Sequence, residues 1–170
     1  LGGAAPSSTY EALVAVGASG KAGEVTRVPA PAKAGVASII AVGLGDAEEV
    51  DDETLRRAAG QAARSITKVG AVATSLGDFG VAPVVEGLIL GGYKYSGLRS
   101  ESAAETTTFT VVAEKSAQEE FDSAKITAES VLIARDLVNT PSNLLYPETY
   151  AAFLSCLLYT SPSPRDLSTS

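Results

Sequence analysis

Short runs rich in Val, Ile and Ala alternate along this chain with segments whose apolar residues recur at helical spacing, and that alternation limits the fold more than any other feature. Residues 13–16 and 36–42 are apolar runs, each followed by glycine, and read as buried strands entering a turn. Residues 70–74 and 108–112 are further strand candidates. Residues 106–110 are dense in β-branched side chains, which suit a pleated, half-buried surface.

Between the strands lie three helical patterns. Over residues 52–67 the apolar positions are Leu55, Ala58, Ala59, Ala62, Ala63 and Ile66, one face at the 3.6-residue period. Asp51, Asp52 and Glu53 stand where a helix N-terminus favours negative charge and a cap. The face is mostly alanine, so this helix can lie close against its neighbours. Residues 82–95 are ambiguous by period alone. Pro83 suits a first helical turn, and Gly87 and Gly91 sit one turn apart, leaving a groove for close packing. Each such glycine costs about 1 kcal/mol of helix propensity, which tertiary packing must offset. Residues 117–138 predict a long helix with a stripe of Phe121, Ala124, Ala128, Val131, Leu132 and Val138, expected to lie on the sheet. Pro141 ends it near Asn139, because the residue before proline is pushed out of helical geometry. Residues 142–147 read as loop and residues 148–154 as the first turns of another helix. The predicted class is α/β, with a mixed or mostly parallel sheet flanked by helices.

Composition narrows the chemistry. The chain has no histidine, which excludes Ser-His-Asp and Cys-His catalysis and every His-based zinc site within it. Its 20 acidic against 13 basic residues give a net charge of -7 and no basic block for phosphates, so neither nucleic acid nor an anionic membrane surface is an expected partner. The single cysteine, Cys156, permits no internal disulfide and fits a reducing compartment. No apolar run approaches the roughly 20 residues of a spanning helix. A length of 170 residues suits one domain and the start of a second.

Two glycine-containing loops invite comparison with phosphate sites. Gly43-Leu44-Gly45-Asp46 follows a strand and precedes a helix, but Asp46, Glu48, Glu49, Asp51 and Asp52 crowd it and would repel an anion. A turn that needs positive φ is the stronger reading. Gly17-Ala18-Ser19-Gly20-Lys21 has the wrong glycine spacing for a phosphate loop, and Ala22 stands where Ser or Thr must hold magnesium. The stretch from residue 17 to residue 34, with Pro29 and Pro31, reads as surface loop. Asp51, Asp52 and Glu53 are expected to cap rather than to bind metal, since adjacent helical residues point apart. For the same reason Arg135 and Asp136 are expected to make separate contacts rather than an acid–base pair.

From Cys156 the character changes. The run Cys156-Leu157-Leu158-Tyr159-Thr160-Ser161-Pro162-Ser163-Pro164-Arg165-Asp166 is aperiodic with two prolines and reads as a disordered tail. Over all eleven residues it resembles the in-frame translation of a transposase adapter used in sequencing libraries. Residues 156–170 are therefore expected to be an artefactual tail, in which Cys156 has no function.

Three stretches together carry a family resemblance. They are Val42-Gly43-Leu44-Gly45 with Leu55-Arg56-Arg57-Ala58-Ala59-Gly60; Glu86-Gly87 with Leu90-Gly91-Gly92-Tyr93-Lys94-Tyr95; and Ala134-Arg135-Asp136-Leu137-Val138-Asn139-Thr140-Pro141 with Asn143, Leu145 and Pro147. In this order and spacing the chain resembles the leucyl (cytosol) aminopeptidase family over roughly residues 1–155. The resemblance implies a macro-domain-like N-terminal α/β domain over residues 1–138, then a linker and the first turns of a truncated catalytic domain over residues 139–155. It implies removal of N-terminal residues from peptides by a cytoplasmic hexamer. Two divalent metals, manganese or zinc, would activate water and polarise the scissile carbonyl. The family's metal-binding lysine and carboxylates lie beyond this chain. No catalytic, cofactor or metal residue is carried over, and Lys94, Lys115 and Lys125 do not match the metal-lysine motif. The competing expectation is a macro-domain-like module binding a nucleotide or ADP-ribose. In the fragment, Leu144, Leu145 and Tyr146 are expected to be uncovered, and Arg135 and Asp136 to lie at the edge facing the absent domain.

Overall fold

A computed structural model describes residues 7–32, 34–95 and 107–160. Thr106 of the β-branched stretch and residues 161–170 of the tail lie outside the described residues. The elements run α1 (Ser7–Ala15), β1 (Val25–Pro29), β2 (Ser38–Val42), α2 (Asp52–Ser65), β3 (Ala71–Thr74), α3 (Val81–Gly92), β4 (Thr108–Val111), α4 (Gln118–Asn139) and α5 (Pro147–Thr160), with short 3-10 turns before α2, α3 and α4.

The class is α/β, and the described strands divide between two small sheets. β1 and β2 pair antiparallel, Val25 opposite Val42 and Pro29 opposite Ser38. β3 and β4 pair parallel, Ala71 beside Thr108 and Thr74 beside Val111, with α3 in the crossover that a parallel pair requires.

Near the N-terminus two segments differ from their sequence reading. Residues 13–15 end α1 and Val16 lies in the turn after it, so this run is not a strand. Thr9 and Leu13, one turn apart, are the residues α1 buries, and a four-residue apolar window is too short to reveal that period. β1 lies inside the stretch read as loop. Only Val28 of its five residues is fully buried, Arg27 is exposed, and Pro29 closes the strand, where a missing N–H is tolerated at a sheet edge.

α2 is as its pattern indicates. Leu55, Ala58, Ala59, Ala62 and Ala63 are buried, and Ile66 at the C-cap is buried with them. It packs chiefly on α3. Leu55, Ala59, Ala63, Val84 and Leu88 form the core, with Phe109 and Val111 of β4 against it. The glycine groove of α3 is real. A Cβ on Gly91 would stand 2.5 Å from the Gly60 Cα, and one on Gly87 would stand 2.8 Å from the Ala59 Cβ, so the two helices approach backbone to backbone.

α4 packs on α3, with only a fringe contact to β4, rather than on a sheet face. Ala124 sits with Val81 and Val85, and Phe121 and Val111 lie alongside. The Glu120 carboxylate accepts the Ala82 N–H at 2.8 Å, supplying to the start of α3 the anion that its own sequence lacks. Beyond Ala128 no residue of α4 is buried, and Val138 is 85% exposed. α5 continues through Thr160, five residues into the segment expected to be irregular. Leu157, Leu158 and Tyr159 are compatible with helix, and no proline intervenes before Pro162, so a helix begun at Pro147 propagates.

Candidate functional site

The two glycine loops lie against each other. Gly45 donates its N–H to the Gly20 carbonyl at 3.0 Å, and Gly43 donates to the Glu24 carbonyl at 2.7 Å. Gly45 has φ +82°, the left-handed geometry expected of a turn there. The donors of the 17–21 loop converge on the chain's own carboxylate. Ser19 N–H and Oγ–H reach Glu24 Oε2 at 2.9 and 2.8 Å, and Gly20 N–H reaches it at 2.7 Å. These bonds, the Ser19 hydroxyl first, hold the Glu24 carboxyl below its usual range. A phosphate would have to displace this side chain.

Asp51 and Glu53 at the start of α2 are engaged within the chain. Asp51 caps α2, accepting from Thr54 N–H at 2.8 Å and Thr54 Oγ1–H at 2.7 Å, and the hydroxyl bond leads in lowering its pKa. Glu53 pairs with Arg56 and Arg57, each at 2.7 Å, and Arg56 also reaches Glu86 at 2.7 Å, joining α2 to α3. Lys94 lies just past the end of α3, Lys115 in the 3-10 turn before α4 and Lys125 on α4, 3.9 Å from Glu129. Among the described residues no three His, Cys, Asp or Glu side chains are grouped as a metal ion requires. The described residues therefore do not fit a two-metal centre.

The most organised polar group stands where the ends of α3 and α4 meet. Arg135 donates from Nη1 to the Leu90 carbonyl at 2.9 Å, and its guanidinium lies 5.6 Å from the centroid of the Tyr93 ring. Tyr93 donates its hydroxyl to Asp136 Oδ1 at 2.7 Å, and Asn139 Nδ2–H donates to the same hydroxyl oxygen at 3.1 Å. Desolvation, then the bond to Asp136, raises the Tyr93 pKa. Tyr95 Oη and Thr140 Oγ1 are 3.1 Å apart, and Thr140 Oγ1–H caps the Asp136 carbonyl at 2.6 Å. Arg135 and Asp136 do not pair with each other: Arg135 reaches the Leu90 carbonyl and the Tyr93 ring, and Asp136 the Tyr93 hydroxyl. The sequence reading lacked their shared partner, Tyr93. Asp136, Asn139 and Thr140, spaced three and four apart, form a polar group on one helical face, and that was the available signal.

Past this junction the chain is uncovered. Leu144 is 54% and Tyr146 47% exposed, with Leu145 half-buried and Tyr150 and Phe153 of α5 also exposed. No described helix is long and apolar enough to cross a membrane.

The described residues thus form an α/β unit whose glycine loops are bonded within the chain and whose last helix carries exposed apolar side chains. The chain belongs to the cytosol aminopeptidase family, whose N-terminal domain matches residues 7–102. It is 53% identical over 150 residues to a "probable cytosol aminopeptidase" of Corynebacterium diphtheriae, covering 85% of this chain and 30% of that protein. A Nocardia farcinica protein of the same description is 46% identical over 149 residues, covering 82% of this chain and 30% of its own length. The chain thus spans about 30% of the length of the curated relatives it matches. Among solved structures, the bottromycin maturation enzyme BotP in complex with Mn superposes with a TM-score of 0.77 at 26% identity, over 94% of this chain and 34% of that one. The cytosol aminopeptidase from Coxiella burnetii, at 20% identity, shares the fold with a TM-score of 0.64, over 89% of this chain and 31% of that one.

Proposed function

We propose that this chain is the non-catalytic N-terminal part of a metal-dependent leucyl aminopeptidase that removes N-terminal amino acids from peptides, and that it is inactive alone. The carrying observation is the exit: the exposed Leu144 and Tyr146, with Leu145 half-buried between them, follow the last helix packed on the domain, in a chain that spans about 30% of the length of its relatives. A catalytic portion packed there would cover them. The BotP complex with Mn supports divalent metals, manganese or zinc, in the whole enzyme, with ligands outside this chain. Peptide substrates, a cytoplasmic location and a hexameric assembly belong to the same proposal. Against the nucleotide or ADP-ribose module, Glu24 already occupies the donors of the 17–21 loop. Residues 1–138 are proposed as the accessory domain, 139–155 as the passage to the catalytic portion, and 156–170 as an artefactual extension.

The test is hydrolysis of a leucyl chromogenic amide with added manganese or zinc, by this chain and by the same reading frame extended through the remaining length of its relatives. The extended protein should turn over substrate and the chain should not. Turnover by the chain that a chelator abolishes would overturn the proposal. A version ending at Ser155 should melt at the same temperature, and a clear drop would make the tail part of the fold.

A further inference from the structure

Full burial on α4 is confined to its first half, and beyond it only Leu132, Arg135 and Leu137 are half-buried. Ala124 and Ala128 are its buried residues, and from there to Asn139 the helix runs on for roughly 16 Å at 1.5 Å per residue with no buried side chain. A helix end so poorly packed should swing or fray, yet it carries the most connected polar group described in the chain. Tyr93 meets Asp136 and Asn139, Arg135 meets the Leu90 carbonyl and the Tyr93 ring, and Tyr95 meets Thr140. All these contacts tie the C-terminus of α3 to the C-terminus of α4. The partners are 43 to 46 residues apart in sequence, so none is incidental to local helix geometry.

We infer that Tyr93, Arg135, Asp136 and Asn139 form a polar clasp that fixes the direction in which the chain leaves this domain, with Tyr93 and Asp136 as positioning residues for whatever follows. The segment beyond the clasp is built to transmit that direction. Leu144 and Leu145 both donate their N–H to the Pro141 carbonyl at 2.9 Å. Tyr146 donates its N–H to Thr149 Oγ1 at 3.0 Å, and the Thr149 hydroxyl lies 3.1 Å from the Leu144 carbonyl. The turn is thus tied on both sides, and α5 begins within it. A 10° tilt at the clasp would move the far end of α5, about 21 Å long, by roughly 4 Å. That suffices to misplace an active site carried beyond it. What is being positioned rests on the proposed function; the holding of α4 does not.

The experiment is a pulsed spin-label distance measurement on this chain, in a Cys156→Ser background with labels at Arg57→Cys on α2 and Glu148→Cys at the start of α5. The parent pair should give one narrow distance distribution. Tyr93→Phe, which keeps the ring beneath Arg135 but removes the hydroxyl, and Asp136→Asn should each widen it about twofold, on the scale of the tilt estimated above. The double variant should be no wider than the singles, because they remove one shared contact. Val131→Ala, on the same half of α4 but outside the clasp, should leave the width unchanged. A residue important only for stability would lower the melting temperature without widening the distribution of the folded molecules. A broad parent distribution, a narrow one in both clasp variants, or equal widening in Val131→Ala would each overturn the clasp. Leucyl amide turnover is not read here, so failure of the clasp and failure of the aminopeptidase reading are separate outcomes.

Discussion

Replacing Gly91 with alanine places a methyl group where the backbone of Gly60 already lies. The new Cβ would stand 2.5 Å from the Gly60 Cα and 2.8 Å from its carbonyl carbon, where ordinary contact is 3.4 Å or more. Neither atom belongs to a flexible side chain, so α2 and α3 must part by about 1 Å. Overpacking of this kind costs about 1–3 kcal/mol, and displacement of backbone belongs at the upper end. Alanine returns up to about 1 kcal/mol of helix propensity. The net expectation is a loss of about 2 kcal/mol, or roughly 4–8 °C in melting temperature for a chain of this size. Gly92, the next residue on the same helix, is the internal control. Its Cβ would meet nothing within 4 Å and its φ is not positive, so Gly92→Ala should be neutral or stabilising by up to about 1 kcal/mol. Thermal and urea unfolding of the two variants beside the parent measure the difference. If Gly91→Ala melts at or above the parent, or the two variants fall equally, the close approach of α2 and α3 does not limit stability and the reasoning fails.

Acidification should destabilise the chain through Glu24, Asp51 and Glu53, whose carboxyls are all held below their usual values by hydrogen bonds. A depressed folded pKa contributes stability above the unfolded pKa and loses it as pH falls through the folded one, so the loss should begin at the usual carboxylate range and continue below it. Glu24→Gln should flatten that part of the melting-temperature profile, and an unchanged slope would refute the assignment to Glu24. Leu144→Ser with Tyr146→Ser should reduce self-association in sedimentation without lowering the melting temperature, because both parent side chains are about half exposed; equal association with and without them would place the sticky surface elsewhere.

The helices were legible where a face is wide and capped. α2 shows both in sequence: an alanine-rich stripe and Asp51 at the cap, and the structure buries that stripe and bonds that aspartate to Thr54. The pairing of strands was not legible. β3 meets β4 only after an intervening helix, and nothing in Ala71–Thr74 specifies Thr108–Val111 as its neighbour, since a parallel pair is joined by a long crossover and not by a local turn. α1 and β1 failed for the opposite reason to α2. Each buries only one or two side chains fully, so the pattern that should announce it is nearly absent. The second half of α4 shows the converse error. Val131 and Val138 continue the stripe of Ala124 and Ala128, but the domain surface they would cover has ended, so a correct period does not tell how far its burial extends.

The glycine loops and the junction differ in what a sequence can disclose. Whether a loop of amides is free to take an anion depends on whether an acid of the same chain can reach it, and Glu24 lies only three residues past Lys21. An exposed carboxylate so near, on a chain where acids already outnumber bases, enters at an effective concentration no dilute phosphate matches, so the internal ligand was inferable from spacing alone. Tyr93 offers no such local clue. Its hydroxyl needs a partner, but Asp136 and Asn139 reach it only because Gly87 and Gly91 seat α3 on α2 while Ala124 and Ala128 bring α4 against α3. The clasp therefore depends on both helix contacts being in place. Clasp residues should therefore report on the placement of α4 in the folded domain, whereas the glycines beneath them decide whether there is a folded domain to place it on.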